Sequence, residues 1–142
     1  MSTALVLFRR DLRLADNPAL VAACAAHSHI LPMFIHAPTE HATGMDDPWP
    51  AGAASRWWLH HALASLQAQL HQRQARLHVC KDDTLAVLLG LIKQSGAKAV
   101  YWNRLYEPAA IARDTRIKTA LREQGIEVHS HAAALWSEPW QI

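Results

Sequence analysis

The stretch FRRDLRLADNPAL, residues 8–20, sets Arg9, Arg10, Asp11 and Arg13 directly behind the apolar run ALVLF. A guanidinium is a planar fork that holds carboxylates and other oxyanions in bidentate pairs. Arginines grouped beside a core strand therefore suit two kinds of chemistry, a structural ion pair or contact with a ligand. Further along, Ala110, Ile117 and Leu121 form one helical stripe, and Asp114 falls on it. A carboxylate on a core-facing stripe needs a partner, because burying it alone is costly. The spacing predicts that Arg9, Arg10 or Arg13 pairs with Asp11 or Asp114, and leaves direct ligand contact by the arginines as the alternative.

The elements that must hold these groups alternate. ALVLF (4–8) reads as a buried strand. Asp16, Asn17 and Pro18 supply capping side chains and a proline at the first helical position, where its missing N–H is not needed, so a helix is expected at about 17–26. HILPMFI (29–35) reads as a second strand that Pro32 weakens. Residues 36–54 carry three prolines and two glycines and read as a long loop of the functional kind. Ser55 can cap a helix over about 54–73, with Leu59, Leu63, Leu66 and Leu70 on one face. A strand at 76–80 follows. Asp82, Asp83 and Thr84 open a helix running to about Gln94, which Gly96 ends. A strand at 98–102, a helix from Glu107-Pro108 to near Gly125, and a strand at 126–131 complete the pattern.

Strands separated by helices pair in parallel through right-handed crossovers. The expected fold is α/β: a doubly wound, Rossmann-like, five-stranded parallel sheet of order 3-2-1-4-5 with helices on both faces. Ligands in such sheets sit beyond the carboxyl ends of the strands where the order reverses. That point falls between the first and fourth strands. It brings Arg9–Arg13, Asn103–Glu107 and the border stretch His36–Pro50 to one rim.

Bulk properties narrow the function classes. With 142 residues, 51% apolar and 18% charged, the chain is sized for one globular domain. A net charge of +2 is too small for electrostatic nucleic-acid binding by this chain alone. Cys24 and Cys80 form no CxxC pair and read as reduced, buried thiols. No signal-peptide pattern and no membrane-length apolar run occur, so the default compartment is the cytoplasm. Of Trp57 and Trp58, one is expected inside and the other facing the long loop or a partner. The spacing of His60-His61 is poor for metal ligation, and His36 and His41 share a loop without an obvious third ligand. Neither GxxxxGK[ST], GxGxxG nor GxSxG occurs, and no self-contained catalytic constellation is visible.

FRRDLRLADNPAL and VYWNRLYEP, followed by Ala112-Arg113-Asp114, resemble the signatures of the DNA photolyase/cryptochrome family. AASRWWLHHALASL, the Asp-Asp-Thr before the third helix and the closing LWSEPWQI fit as well, so the resemblance covers essentially residues 1–142. It implies the N-terminal α/β domain of a deoxyribodipyrimidine photolyase, a carbon–carbon lyase that splits cyclobutane pyrimidine dimers by light-driven electron transfer from reduced FAD. It further implies a C-terminal helical domain, outside these residues, as the partner that binds FAD and damaged DNA. The fragment alone is expected to be inactive and monomeric, without membrane attachment. Its own ligand would be an antenna chromophore: methenyltetrahydrofolate first, deazaflavin or FMN as alternatives. Gly44 and Leu105 depart from the folate and deazaflavin patterns respectively. By the resemblance, Tyr106 and Glu107 would hold a pterin, flanked by Asn103, Arg10, His36, Ala37 and the loop to Thr43. Trp136 and Trp140 are expected in an exposed interdomain patch. A cryptochrome-like photoreceptor and a free-standing small-ligand-binding α/β protein are the competing readings.

Overall fold

A computed structural model of the chain describes residues 3–9, 14, 17–36, 53–81, 83–104 and 108–131. In chain order the elements are β1 (Thr3–Phe8), α1 (Pro18–Ala26), β2 (His29–His36), α2 (Ala53–Gln72), β3 (His78–Lys81), α3 (Thr84–Ser95), β4 (Ala99–Asn103), α4 (Pro108–Glu123) and β5 (Glu127–His131). The five strands form one sheet in the order β3-β2-β1-β4-β5, and every pairing is parallel. The expected order is therefore the observed one.

β1 lies at the centre, and its residues alternate between two cores. Leu5 and Leu7 join Met33, Ile35, Val100 and Trp102 beneath α3 and α4. Ala4, Val6 and Phe8 join Phe34, Leu66, Leu70 and Tyr101 beneath α1 and α2. Burial on both faces is why the strand reads as an unbroken apolar run rather than an alternating one.

The helix ends follow local chemistry. Asn17 caps α1 by accepting a hydrogen bond from the Leu20 N–H, with Pro18 in the first turn. Asp83 caps α3 through the Ala86 N–H at 3.2 Å. Gly96 closes α3 at φ 71°, a left-handed conformation in which a Cβ is strained.

Pro32 sits inside β2 opposite Val6. It is tolerated because β3 begins only opposite Met33, so on that side Pro32 has no ladder partner to lose. α2 starts at Ala53, ahead of Ser55, which is thus within the helix rather than at its cap.

Two sequence expectations are corrected. Both tryptophans at the start of α2 are exposed, Trp57 by 65% and Trp58 by 53%. They precede the Leu59–Leu63–Leu66–Leu70 stripe and point about 200° and 100° away from it; Trp57 instead lies against His61, one turn on, with ring centroids 4.2 Å apart. Cys24 is also exposed, and Cys80 is half-buried; both are free thiols. α1 buries Ala19 and Ala23, and Cys24 is turned one residue off that stripe.

Candidate functional site

Arg9, directly after β1, and Asn103, at the end of β4, meet at the carboxyl rim of the sheet. Arg9 leaves β1 and reaches α4, where its Nη1 lies 2.8 Å from each carboxylate oxygen of Asp114. Its Nη2 donates to the main-chain oxygen of Asn103, at the end of β4. The same guanidinium stands 5.7 Å from the centroid of the Trp102 ring, within cation–π range. One arginine thus ties together β1, β4 and α4. Of the two chemistries open to the arginine group, Arg9 serves the structural one.

A second tie runs on the opposite face. The side chain of Asn103 is buried. Its Oδ1 accepts from the Ala19 N–H at 3.0 Å, and its Nδ2 donates to Asn17 Oδ1 at 2.7 Å. Asn17 Oδ1 also takes the Leu20 N–H. Two buried amides therefore satisfy first-turn N–H groups of α1, which a helix cannot satisfy itself, and fasten the helix start to the end of β4.

Of the predicted site residues, Asn103 is placed at this rim with both ends of its amide engaged. His36 is the last residue of β2 and pairs in register with Lys81 at the same rim. Arg10, Ala37, Tyr106 and Glu107 lie outside the described residues, as do Arg13, the loop to Thr43, Trp136 and Trp140.

The neighbouring β5 edge carries groups that sequence reasoning did not single out. On the α1 face, the Tyr101 hydroxyl is 3.2 Å from His27 Nε2, and its ring stacks on His129 with centroids 4.7 Å apart. Burial, followed by the Glu127 carboxylate, pushes the Tyr101 hydroxyl above its ordinary value. His131 lies parallel to Tyr101 at 6.1 Å. Burial, then His129 and Arg104, push His131 below the usual histidine range. On the α4 face, Arg104 donates from Nε to Ser130 Oγ at 3.1 Å and from Nη2 to the Ser130 carbonyl at 3.0 Å. Lys118 donates to the same hydroxyl oxygen at 2.7 Å. The signal for these groups was the period-two alternation of Tyr101 to Arg104 and Val128 to His131, together with the four-residue spacing of Asp114, Lys118 and Arg122 on α4. Among the described residues no group of three His, Cys, Asp or Glu side chains could hold a metal ion, and no helix is long and apolar enough to cross a membrane.

The rim, its two ties and the sheet order frame the comparison with known proteins. The family model for DNA photolyase matches residues 4–142. The chain belongs to the DNA photolyase family. A deoxyribodipyrimidine photo-lyase of Agrobacterium fabrum is 40% identical over 138 residues, covering 97% of this chain and 27% of its relative. Cryptochrome-1 of Arabidopsis thaliana is also 40% identical, over 140 residues, covering 98% of this chain and 20% of that protein. The crystal structure of a bacterial class III photolyase from Agrobacterium tumefaciens superposes with a TM-score of 0.88 at 37% identity, covering 99% of this chain and 28% of that one. An archaeal photolyase from Sulfolobus tokodaii, described with two FAD molecules that imply a novel light-harvesting cofactor, superposes with a TM-score of 0.85 at 26% identity over 99% of this chain and 31% of its own. The chain therefore spans about a quarter of the length of these photolyase relatives. Its five-stranded sheet matches the N-terminal α/β domain of photolyases.

Proposed function

We propose that this domain seats an antenna chromophore at the carboxyl rim of its sheet, as the N-terminal part of a light-dependent deoxyribodipyrimidine photolyase. The observation that carries the reading is that the ends of β1 and β4 lie side by side at the strand-order reversal, where Arg9 reaches Asn103 and Asp114. The family membership supplies the light-dependent chemistry.

In this reading the parts of the rim divide the work. Asn103, with its amide engaged by Ala19 and Asn17, positions the rim rather than gripping the chromophore. Arg9 holds the end of β1 to the end of β4 through Asn103 and to α4 through Asp114. The contacts to the chromophore fall to Tyr106 and Glu107, with Arg10, His36 and Ala37 around them. A carboxylate such as Glu107 suits the amino-pyrimidine edge of methenyltetrahydrofolate, since it accepts two N–H bonds. A deazaflavin or FMN would use the aromatic residue more than the acid. When bound, the antenna supplies light absorption; the chain orients it and keeps water from it. Excitation passes to FAD in a C-terminal helical domain, which also holds the damaged DNA.

The test is the absorption and excitation spectrum of the full-length holoprotein. A near-ultraviolet band beyond those of FAD, lost in Glu107→Ala while direct flavin excitation still drives repair, supports the assignment. An unchanged band in that variant removes Glu107 from it.

A cryptochrome-like photoreceptor is the second reading, favoured by an identity to Cryptochrome-1 equal to that of the photolyase. Light-dependent splitting of thymine dimers by the full-length protein separates the two.

A further inference from the structure

α1 differs from the other helices in what it shows to water. Its nine residues, PALVAACAA, include no charged or amide side chain. α2 turns Gln67, Gln69 and His71 outward, α3 Lys93 and Gln94, and α4 Arg116, Thr119 and Glu123, as helices facing solvent do. α1 buries Ala19 and Ala23 and turns Val21, Cys24 and Ala25 the other way, where all three are exposed. Spaced at i, i+3 and i+4, they make one continuous face. Val21 is 66% exposed. A helix that is apolar all round belongs inside a protein, yet this one has a core on one side only. It is fastened at its two ends, by Asn17 and Asn103 at the start and by His27 against the Tyr101 hydroxyl at the finish. Among the described residues nothing covers the outer face between them.

Size and place together name the occupant. Nine residues of helix run about 14 Å. One side of so short a rod falls well below the roughly 800 Å² per partner that two separate chains bury in a stable complex. A partner tethered to the same chain needs far less contact, because the tether offsets the cost of association. A membrane surface fits poorly, since α1 has no lysine or arginine to meet anionic headgroups. β5 ends at His131, in register with Asn103, and Asn103 holds the start of α1. The last described strand therefore finishes beside this helix. The chain spans about a quarter of the length of its photolyase relatives, so most of such a protein lies beyond it.

We propose that Val21, Cys24 and Ala25 form the seat of an apolar segment of the C-terminal helical domain. The contact rests on the photolyase reading for the existence of that domain and does not involve the antenna.

Cys24 is a built-in probe, being a free and exposed thiol in this domain. The experiment is pulse alkylation of the native full-length protein with N-ethylmaleimide, read at Cys24 by peptide mass mapping, against the same protein unfolded in urea. A covered thiol reacts only when the contact opens. Cys24 should react more slowly in the native protein by about tenfold or more, equivalent to about 1.4 kcal/mol. Any smaller slowing means that water reaches the face, and overturns the proposal. Photo-crosslinking from p-benzoylphenylalanine in place of Val21 then identifies the cover. A link to a peptide of the same chain beyond residue 142 supports the proposal. A link to a second copy, or to residues within 1–142, overturns it. The photolyase reading fails separately: a full-length protein that splits no thymine dimers removes that reading whatever Cys24 does, whereas fast alkylation in a protein that does split them removes only this contact.

Discussion

Arg9 and Asp114 are 105 positions apart in the chain, yet Arg9 Nη1 stands 2.8 Å from both carboxylate oxygens of Asp114. The pair is mostly sheltered, with 16% and 13% of the two side chains exposed. Removing one member of such a pair leaves the other charge stranded, and the stranded charge, more than the lost attraction, sets the penalty. Asp114→Ala should therefore destabilise by roughly 2–4 kcal/mol, towards the lower part of the range for buried pairs because some solvent reaches this one. Urea unfolding of the purified protein reads this directly. A loss below about 1 kcal/mol would place the pair with ordinary surface ion pairs.

The Asn17–Asn103 tie makes a separate prediction. Asn17→Ala removes a helix cap and an acceptor for the Asn103 amide, and should cost about 1–2 kcal/mol. Asn103→Ala should cost a similar amount. In the double variant the losses should fall short of additive by at least about 0.5 kcal/mol, since the residues share one hydrogen bond. Strict additivity in a double-mutant cycle would contradict the contact.

Gly96 closes α3 at φ 71°, and nothing lies within 4 Å of where a Cβ would sit. A side chain there meets no clash, only the backbone strain of the left-handed region. Gly96→Ala should cost about 1 kcal/mol, with an unchanged denaturant slope.

Acid should loosen the β5 edge. His131 is pushed below its ordinary value, first by burial and then by His129 and Arg104. Its unfolded form therefore takes up a proton before the folded form does. Stability should fall as pH drops below about 6.5, the ordinary histidine value. It should level off once the folded form is protonated too. His131→Gln should flatten this part of the profile, measured as the unfolding midpoint against pH. An identical slope in the variant would assign the effect to another of the ten histidines.

Trp57 and Trp58 offer a contrasting test. Both are exposed, so Trp57→Ser and Trp58→Ser should each change stability by no more than about 0.5 kcal/mol. A loss of several kcal/mol in either would mean that the side chain packs in a core.

The sheet was readable because its strands are unbroken apolar runs and its helices carry strong end signals, as at Asn17-Pro18, Asp83 and Gly96. The Arg9–Asp114 pair was readable because a charge on a helical core stripe demands a partner. Which arginine would answer was not, since Arg9, Arg10 and Arg13 differ only in how the turn after β1 aims them. The Asn103–Asn17 tie was hidden for a similar reason. Each asparagine makes local sense alone, one as a cap and one as a strand end, and only the sheet order sets them side by side. Trp57 and Trp58 misled because bulk and hydrophobicity suggest burial, while the helical angle between them and the leucine stripe decides against it. Lys118 and Ser130 raised no flag because a lysine on a helix and a serine on a strand are ordinary until the edge brings them to 2.7 Å.

The central position of β1 also bears on synthesis. Its β2 flank can be matched once residue 36 is made, but its other flank pairs only with residues 99–102. A nascent chain stalled at the end of β3 would carry an open backbone ladder on β1, with Leu5 and Leu7 wet on the side that α3 and α4 later cover. The earliest-made strand of this sheet is thus among the last to be enclosed, and truncations ending near residue 81 should aggregate rather than persist as half-domains.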